Sequence, residues 1–332
     1  MKNLLYVLLL ALVPALILTS CKDNTDDTVT PSQAEFELLQ TYMAQNDLDL
    51  SNVLDGWVIP GSKLPVATDG DYSIPGWYVI DIRSATDFEA GHIKGAVNVA
   101  FADVLDQAPN ANGQPILVVC YSGQTAARAV GFLRIMGYEA KSLKWGMSAW
   151  HTDFDKWSGK IADLMDPNWI TSGDPAPLQV FDYPSFTTGE TDGAAILEAR
   201  VREAMTLDWT ISNSDVLGSP HQYFINNKWS LDSWNAYGHI EGAYRIDEDL
   251  TLGNLDNLDP VTPMVTYCYT GQTSSITTAW LQVLGFENAR SLMFGANAIV
   301  HTALVNGSAA AKSWMGEGSA SALGYDYVTG PQ

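Results

Sequence analysis

Two hexapeptides hold the side chains best suited to covalent chemistry: Cys120-Tyr121-Ser122-Gly123-Gln124-Thr125 and Cys268-Tyr269-Thr270-Gly271-Gln272-Thr273. Each follows a short apolar run (Ile116 to Val119, Met264 to Tyr267) and leads into a helical pattern. The thiolate, not the thiol, is the nucleophile. A cysteine just before a helix N-terminus meets unpaired N–H groups and the positive end of the dipole, so a lowered thiol pKa is expected. Gly123 and Gly271 allow backbone angles that turn successive N–H groups inward. Such a cradle suits a thiolate, a persulfide or a small oxyanion. The hydroxyls of Ser122, Thr125, Thr270 and Thr273 either donate to that anion or cap the helix. Tyr121 and Tyr269 are bulky enough to shape the mouth. Gln124 and Gln272 either point outward or contact substrate.

The totals narrow the chemistry. Only three cysteines occur, Cys21, Cys120 and Cys268, without CxxC spacing, which argues against a disulfide framework and a zinc site. A Cys120–Cys268 disulfide is the alternative, but the identical contexts suggest two sites. Neither a metal nor another cofactor is expected. Net charge is −21 with no basic cluster, so nucleic acid is excluded as a partner. Cysteine phosphatase loops place an arginine where this chain has Ala126 and Ser274, so phosphoryl transfer would lack its electrostatic clamp.

The elements that must position these loops repeat with them. Gly91-His92-Ile93-Lys94-Gly95-Ala96 returns as Gly238-His239-Ile240-Glu241-Gly242-Ala243, and Met136-Gly137-Tyr138-Glu139 as Leu284-Gly285-Phe286-Glu287. Landmarks in one order at a nearly constant offset indicate duplication of a whole domain. Strands at Tyr78–Ile82, Ala96–Ala100, Ile116–Val119 and Glu139–Leu143 alternate with helices near Thr86–Ala90 and Ala126–Met136. The expected class is α/β: two tandem domains, each a mainly parallel sheet flanked by helices. Both cysteines then lie at the carboxyl ends of strands. The expected division is a leader at 1–20, a tether at 21–32, domains at 33–162 and 194–332, and a Pro- and Gly-rich linker at 163–193.

These motifs, with Asp81-Ile82-Arg83 and Trp145-Gly146-Met147-Ser148-Ala149-Trp150, resemble the rhodanese (sulfurtransferase) family over about Leu48–Gly159 and Leu207–Gly307. The resemblance implies a cysteine that takes a sulfane sulfur as a persulfide and passes it on. Cys120 and Cys268 match that cysteine, and the rest of each hexapeptide matches its binding loop. Implied donors are thiosulfate or 3-mercaptopyruvate; implied acceptors are cyanide or thiols. Two features depart from the pattern. Neither loop contains an arginine, and the second domain reads Phe224-Ile-Asn-Asn-Lys-Trp229 in place of Asp-x-Arg. Cys120 is therefore favoured, as its domain is the more complete. Asp81 and Arg83 are expected to tie the strand end to the next helix. His92, His239, His151 and His301 read as structural.

An apolar run from Leu4 to Leu18 ends in Leu18-Thr19-Ser20-Cys21, which resembles a bacterial lipobox. The resemblance implies acylation of Cys21, a membrane anchor without a spanning helix, and a place in the bacterial cell envelope, periplasmic or outer surface. Two other readings remain on sequence alone: a lipid-anchored interaction protein without catalysis, and a redox enzyme that would need a resolving thiol.

Overall fold

The computed structural model describes residues 31–68, 70–246, 250–316 and 322–331. The expected leader, Cys21 and most of the tether lie outside the described residues. The first half contains α1 (Pro31–Gln45), α2 (Leu50–Leu54), β1 (Val58–Ile59), β2 (Tyr78–Asp81), α3 (Ala85–Ala90), β3 (Val97–Asn98), α4 (Val104–Gln107), β4 (Ile116–Val119), α5 (Gln124–Ile135), β5 (Ala140–Leu143) and α6 (Met147–Trp150). After β6 (Trp169–Ile170), the second half contains α7 (Gly193–Thr206), β7 (Thr210–Ile211), α8 (Asn213–Gly218), β8 (Phe224–Asn227), α9 (Leu231–Tyr237), β9 (His239–Ile240), β10 (Met264–Tyr267), α10 (Gln272–Val283), β11 (Ala289–Leu292) and α11 (His301–Asn306).

The first sheet runs β1-β5-β4-β2-β3, all parallel; the second runs β7-β11-β10-β8, also parallel. Where β3 joins the first sheet, the second has a single parallel bridge, Asn226 to Tyr244. The apolar run in β4 follows from burial on both faces. Ile116 and Val118 point into one core, while Leu117 and Val119 point into another with Phe88, Met147 and Trp150. Both domains are thus α/β with parallel sheets, as the alternating pattern predicted.

Between the sheets lies a shared helical layer. Helices α5 and α10 pack directly on each other, with α7 against α10 and α1. Their apolar faces (Val130, Leu133, Ile276, Trp280, Val283) merge into one core spanning both domains. Gly131 permits the close approach: a Cβ there would lie 3.4 Å from Ala279 Cβ and 3.5 Å from Ile276 Cγ2. Arg128 of α5 crosses the seam, donating to Gln282 Oε1 of α10 at 2.7 Å and to the Ala204 carbonyl of α7 at 2.6 Å.

The segment expected as a linker is a strap. β6 pairs antiparallel with β9, Leu164 N–H donates to the Ile299 carbonyl, and Thr188 donates to Glu35 of α1. Residues 322–331 return to the first domain. Leu323 and Tyr325 donate to the Ala149 and Trp150 carbonyls, and Val328 bridges His92.

Candidate active site

Each loop grows from a parallel strand whose end leaves backbone groups free to turn. In the first, Gly123 adopts φ 84° and opens α5; in the second, Gly271 adopts φ 74° and opens α10. Neither helix start has a side-chain cap, so Thr125 and Thr273 do not cap. Instead, Ser122 Oγ accepts from Gln124 Nε2 at 3.0 Å, and Thr270 Oγ1 accepts from Gln272 N–H at 3.2 Å.

A second turn bolts each loop in place. Gly146 and Gly295, at φ 62° and 53°, press so close that a Cβ would meet the Cys120 carbonyl at 2.4 Å and the Cys268 carbonyl at 2.3 Å. Met147 and Ala296 N–H groups donate to those carbonyls at 2.8 and 3.0 Å. The residues before these glycines, Trp145 and Phe294, hold positive φ of 67° and 61°. Each is held from the opposite domain. Gln272 Oε1 accepts from Trp145 N–H at 3.3 Å, and Gln124 Oε1 accepts from Phe294 N–H at 2.7 Å. The two loop glutamines, left open on sequence between solvent and substrate, are buried in the domain seam.

The two cysteines are free thiols in different settings. Cys120 Sγ accepts the N–H groups of Gly123 at 3.1 Å and Ala126 at 3.3 Å. Burial nevertheless pushes its thiol pKa up and outweighs these donors, with the Asp81 carboxylate adding to the rise. The helix N-terminus therefore does not lower this thiol, contrary to the sequence expectation: desolvation is the larger effect. The loop is also covered. Trp157 Nε1 donates to the Ser122 carbonyl at 3.0 Å, and Trp157 is enclosed by Trp145, Trp314 and Phe294. The four tryptophans between positions 145 and 169 divide: Trp145 and Trp157 form this cover, Trp150 packs in the core around Phe88 and Met147, and Trp169 in the core of the second domain.

Cys268 Sγ lies 3.6 Å from Ser274 Oγ, which pairs with Ser291 Oγ at 2.7 Å. It opens onto a cavity of about 400 Å³ at the domain junction. Tyr269, Thr270, Gln272 and Thr273 line one side, and Trp57, Val58 and Pro60 of the first domain form the other. Three lysines complete it: Lys144, Lys228 and Lys312. This convergence stands out in a chain with 17 Lys and Arg against 38 Asp and Glu. Lys312 Nζ sits 4.4 Å from the centre of the Tyr269 ring, and Lys144 Nζ donates to the Ala311 carbonyl at 2.7 Å. Burial, and then Lys312, draw the Lys144 pKa below its ordinary value.

Asp81 and Arg83 form a buried ion pair at 2.7 Å, and Arg83 also donates to the Gly91 carbonyl at 2.6 Å. The pair ties the end of β2 to the end of α3. At the matching point of β8, Asn227 donates to Tyr267 Oη at 2.5 Å and accepts from Trp229 N–H at 2.8 Å. The departure from Asp-x-Arg thus removes a buried carboxylate from the Cys268 side and brings Lys228 to the cavity. His92 is held by the Phe88 carbonyl at 2.8 Å and stacks on Phe88; His239 stacks on Trp234 at 3.5 Å. Sequence reasoning missed the three lysines and the Trp57–Pro60 wall. Lys228 was the findable one, because it stands between Asn227 and Trp229, the two residues that break the Asp-x-Arg match.

Fold and loops define a pair of parallel α/β domains, each presenting a cysteine on a strand-to-helix cradle. The Rhodanese-like domain family matches residues 68–153 and 212–302, more than half of the chain, which therefore belongs to that family as a tandem member. The chain is similar to the thiosulfate sulfurtransferase GlpE of Shewanella oneidensis, 38% identical over 77 residues, covering 22% of this chain and 74% of that protein. GlpE of Pseudomonas putida is 37% identical over 81 residues, covering 24% and 74%. Among solved structures, the 3-mercaptopyruvate sulfotransferase SseA of Escherichia coli aligns over 71% of this chain and 97% of its own, at 16% identity and TM-score 0.27.

Proposed function

We propose that the protein is a sulfurtransferase working through Cys268, with an anionic sulfane donor held in the junction cavity. The observation that carries this reading is the cavity itself: a cysteine loop opening onto three lysines drawn from both domains. Positive groups converging in a partly desolvated cleft concentrate an anion there, against the overall negative charge. With thiosulfate as donor, the Cys268 thiolate attacks the outer sulfur. A new S–S bond forms, the donor's S–S bond breaks, and sulfite leaves with its electron pair. The persulfide anion then lies beside the Ser274 hydroxyl and faces the lysines of the cavity. Cys120, covered by Trp157, supports the seam in this reading and does not carry sulfur.

The test is mass analysis after incubation with thiosulfate or 3-mercaptopyruvate. One added sulfur is expected on Cys268, retained in Cys120→Ser and absent in Cys268→Ser. No gain with either donor defeats the reading. As a separate proposal resting on the lipobox resemblance, Cys21 carries a lipid that holds the protein to a membrane of the cell envelope. Incorporation of a labelled fatty acid, abolished by Cys21→Ser, checks this.

A further inference from the structure

The cavity at Cys268 has a neighbour. A second cavity of about 240 Å³ shares two residues with it, Pro60 and Lys144, and is otherwise lined mainly by apolar groups, among them Trp145, Ala149, Ala310 and Leu323. Lys144 stands at the boundary. Its ammonium donates to the Ala311 carbonyl at 2.7 Å and lies 5.2 Å from the centre of the Trp145 ring. One cation therefore faces both spaces: the lysine-lined one that ends at the cysteine, and an apolar one behind it. The second space is built from both domains and from the returning tail, since Leu323 is held there through the Ala149 carbonyl.

Resting on the reading of Cys268 as the sulfur carrier, we propose that the second cavity is the acceptor subsite. It takes the apolar body of a small monothiol whose sulfur passes Lys144 to reach the persulfide. The partition follows from chemistry. A donor such as thiosulfate is charged throughout and gains nothing from an apolar wall, whereas an organic thiolate has one charged atom and an apolar remainder. Lys144 meets the charged atom, and the space behind it removes the remainder from water. In the transfer, the acceptor thiolate attacks the outer sulfur of the Cys268 persulfide. The new bond joins that sulfur to the acceptor, the Cys268 S–S bond breaks, and Cys268 departs as a thiolate. The acceptor leaves as a persulfide, so no outside oxidant or reductant enters.

The test uses 1-butanethiol against 2-mercaptoethanol at equal thiolate concentration, with two readouts. In the resting protein, alanine-methyl NMR should show shifts at Ala149 and Ala310 with 1-butanethiol and little change with 2-mercaptoethanol. In protein first shown by mass to carry sulfur on Cys268, 1-butanethiol should discharge it at least tenfold faster than 2-mercaptoethanol. Ala310→Phe and Leu323→Trp, which fill the space from different walls, should erase that difference while donor loading and discharge to cyanide stay unchanged. Absence of the methyl shifts, or equal discharge by both thiols, overturns the proposal, as does butanethiol discharge that persists in both filled variants. Failure of loading is recognised before any thiol is added and defeats the sulfurtransferase reading itself.

Discussion

Gln124, in the first cysteine loop, reaches across the domain seam to accept the Phe294 backbone N–H at 2.7 Å, one residue before the glycine that braces the second loop. Gln272 returns the same contact to Trp145 at 3.3 Å. Each cysteine loop is thereby tied to the turn that braces the other. Removing one partner leaves a seam N–H, part-buried at Phe294 and buried at Trp145, without its acceptor, at about 1–3 kcal/mol. Gln124→Ala should lower unfolding stability by that amount in urea titration, and more than Gln272→Ala, whose bond is longer. The result to look for against this is a Gln124→Ala variant with an unchanged midpoint.

The difference between the two thiols has a direct chemical readout. Burial raises the Cys120 pKa above its ordinary 9.0. A thiol with a raised pKa stays protonated until the pH passes the new value, so Cys120 should resist iodoacetamide at neutral pH and in mild alkali. Cys268, at the cavity wall, should alkylate at least tenfold faster under the same conditions. Peptide mapping of the labelled protein at pH 7.5 distinguishes them, and equal labelling would contradict the assignment.

The lysines of the cavity predict a salt effect. Replacing Lys228 or Lys312 with Met should raise the KM for thiosulfate by about tenfold, equivalent to roughly 1.4 kcal/mol of transition-state or ground-state binding. Rising ionic strength should weaken donor binding in the wild type and do so less in either variant, because fewer charges remain to be screened. A KM that ignores both salt and substitution would remove the lysines from the site.

His239 predicts an acid limb of stability. Desolvation lowers its pKa from 6.5 to about 4, and its buried Nδ1 has no hydrogen-bond partner among the described residues. Above 6.5 both the folded and unfolded forms are neutral. Between 6.5 and 4 the unfolded chain binds a proton that the folded chain excludes, so stability falls as pH drops through that window. His239→Phe preserves stacking on Trp234 and removes the titration. Its stability should depend less steeply on pH between 4 and 6.5, measured by thermal unfolding.

The seam itself is open to a packing test. Any larger side chain at position 131 pushes α5 from α10, since a Cβ there already touches Ala279 and Ile276. Overpacking of this kind costs about 1–3 kcal/mol. Gly131→Leu should therefore lower the melting temperature, and it should also reduce any Cys268 activity, because the cavity has a wall from each domain.

Much of this protein was legible in its sequence because the signals are local. A buried parallel strand needs a continuous apolar run, a turn into a helix needs glycine at positive φ, and a duplication repeats both in order. Residues 116–124 and 264–272 could be read as strand, cysteine loop and helix for those reasons. The family resemblance rests on the same short-range patterns. What the sequence left undecided depended on contacts between residues far apart in the chain. Gln124 and Gln272 are placed by backbone groups more than a hundred residues away, and Lys144, Lys228 and Lys312 meet only when the two sheets close on their shared helical layer. The choice between the cysteines turned on the same distinction. Motif completeness pointed to Cys120, but desolvation and the Trp157 cover depend on neighbours in space. Both thiols are buried, and only the tertiary structure sets Cys268, in the less complete domain, at the wall of a lysine-lined cavity, which is what favours it in the proposed reading.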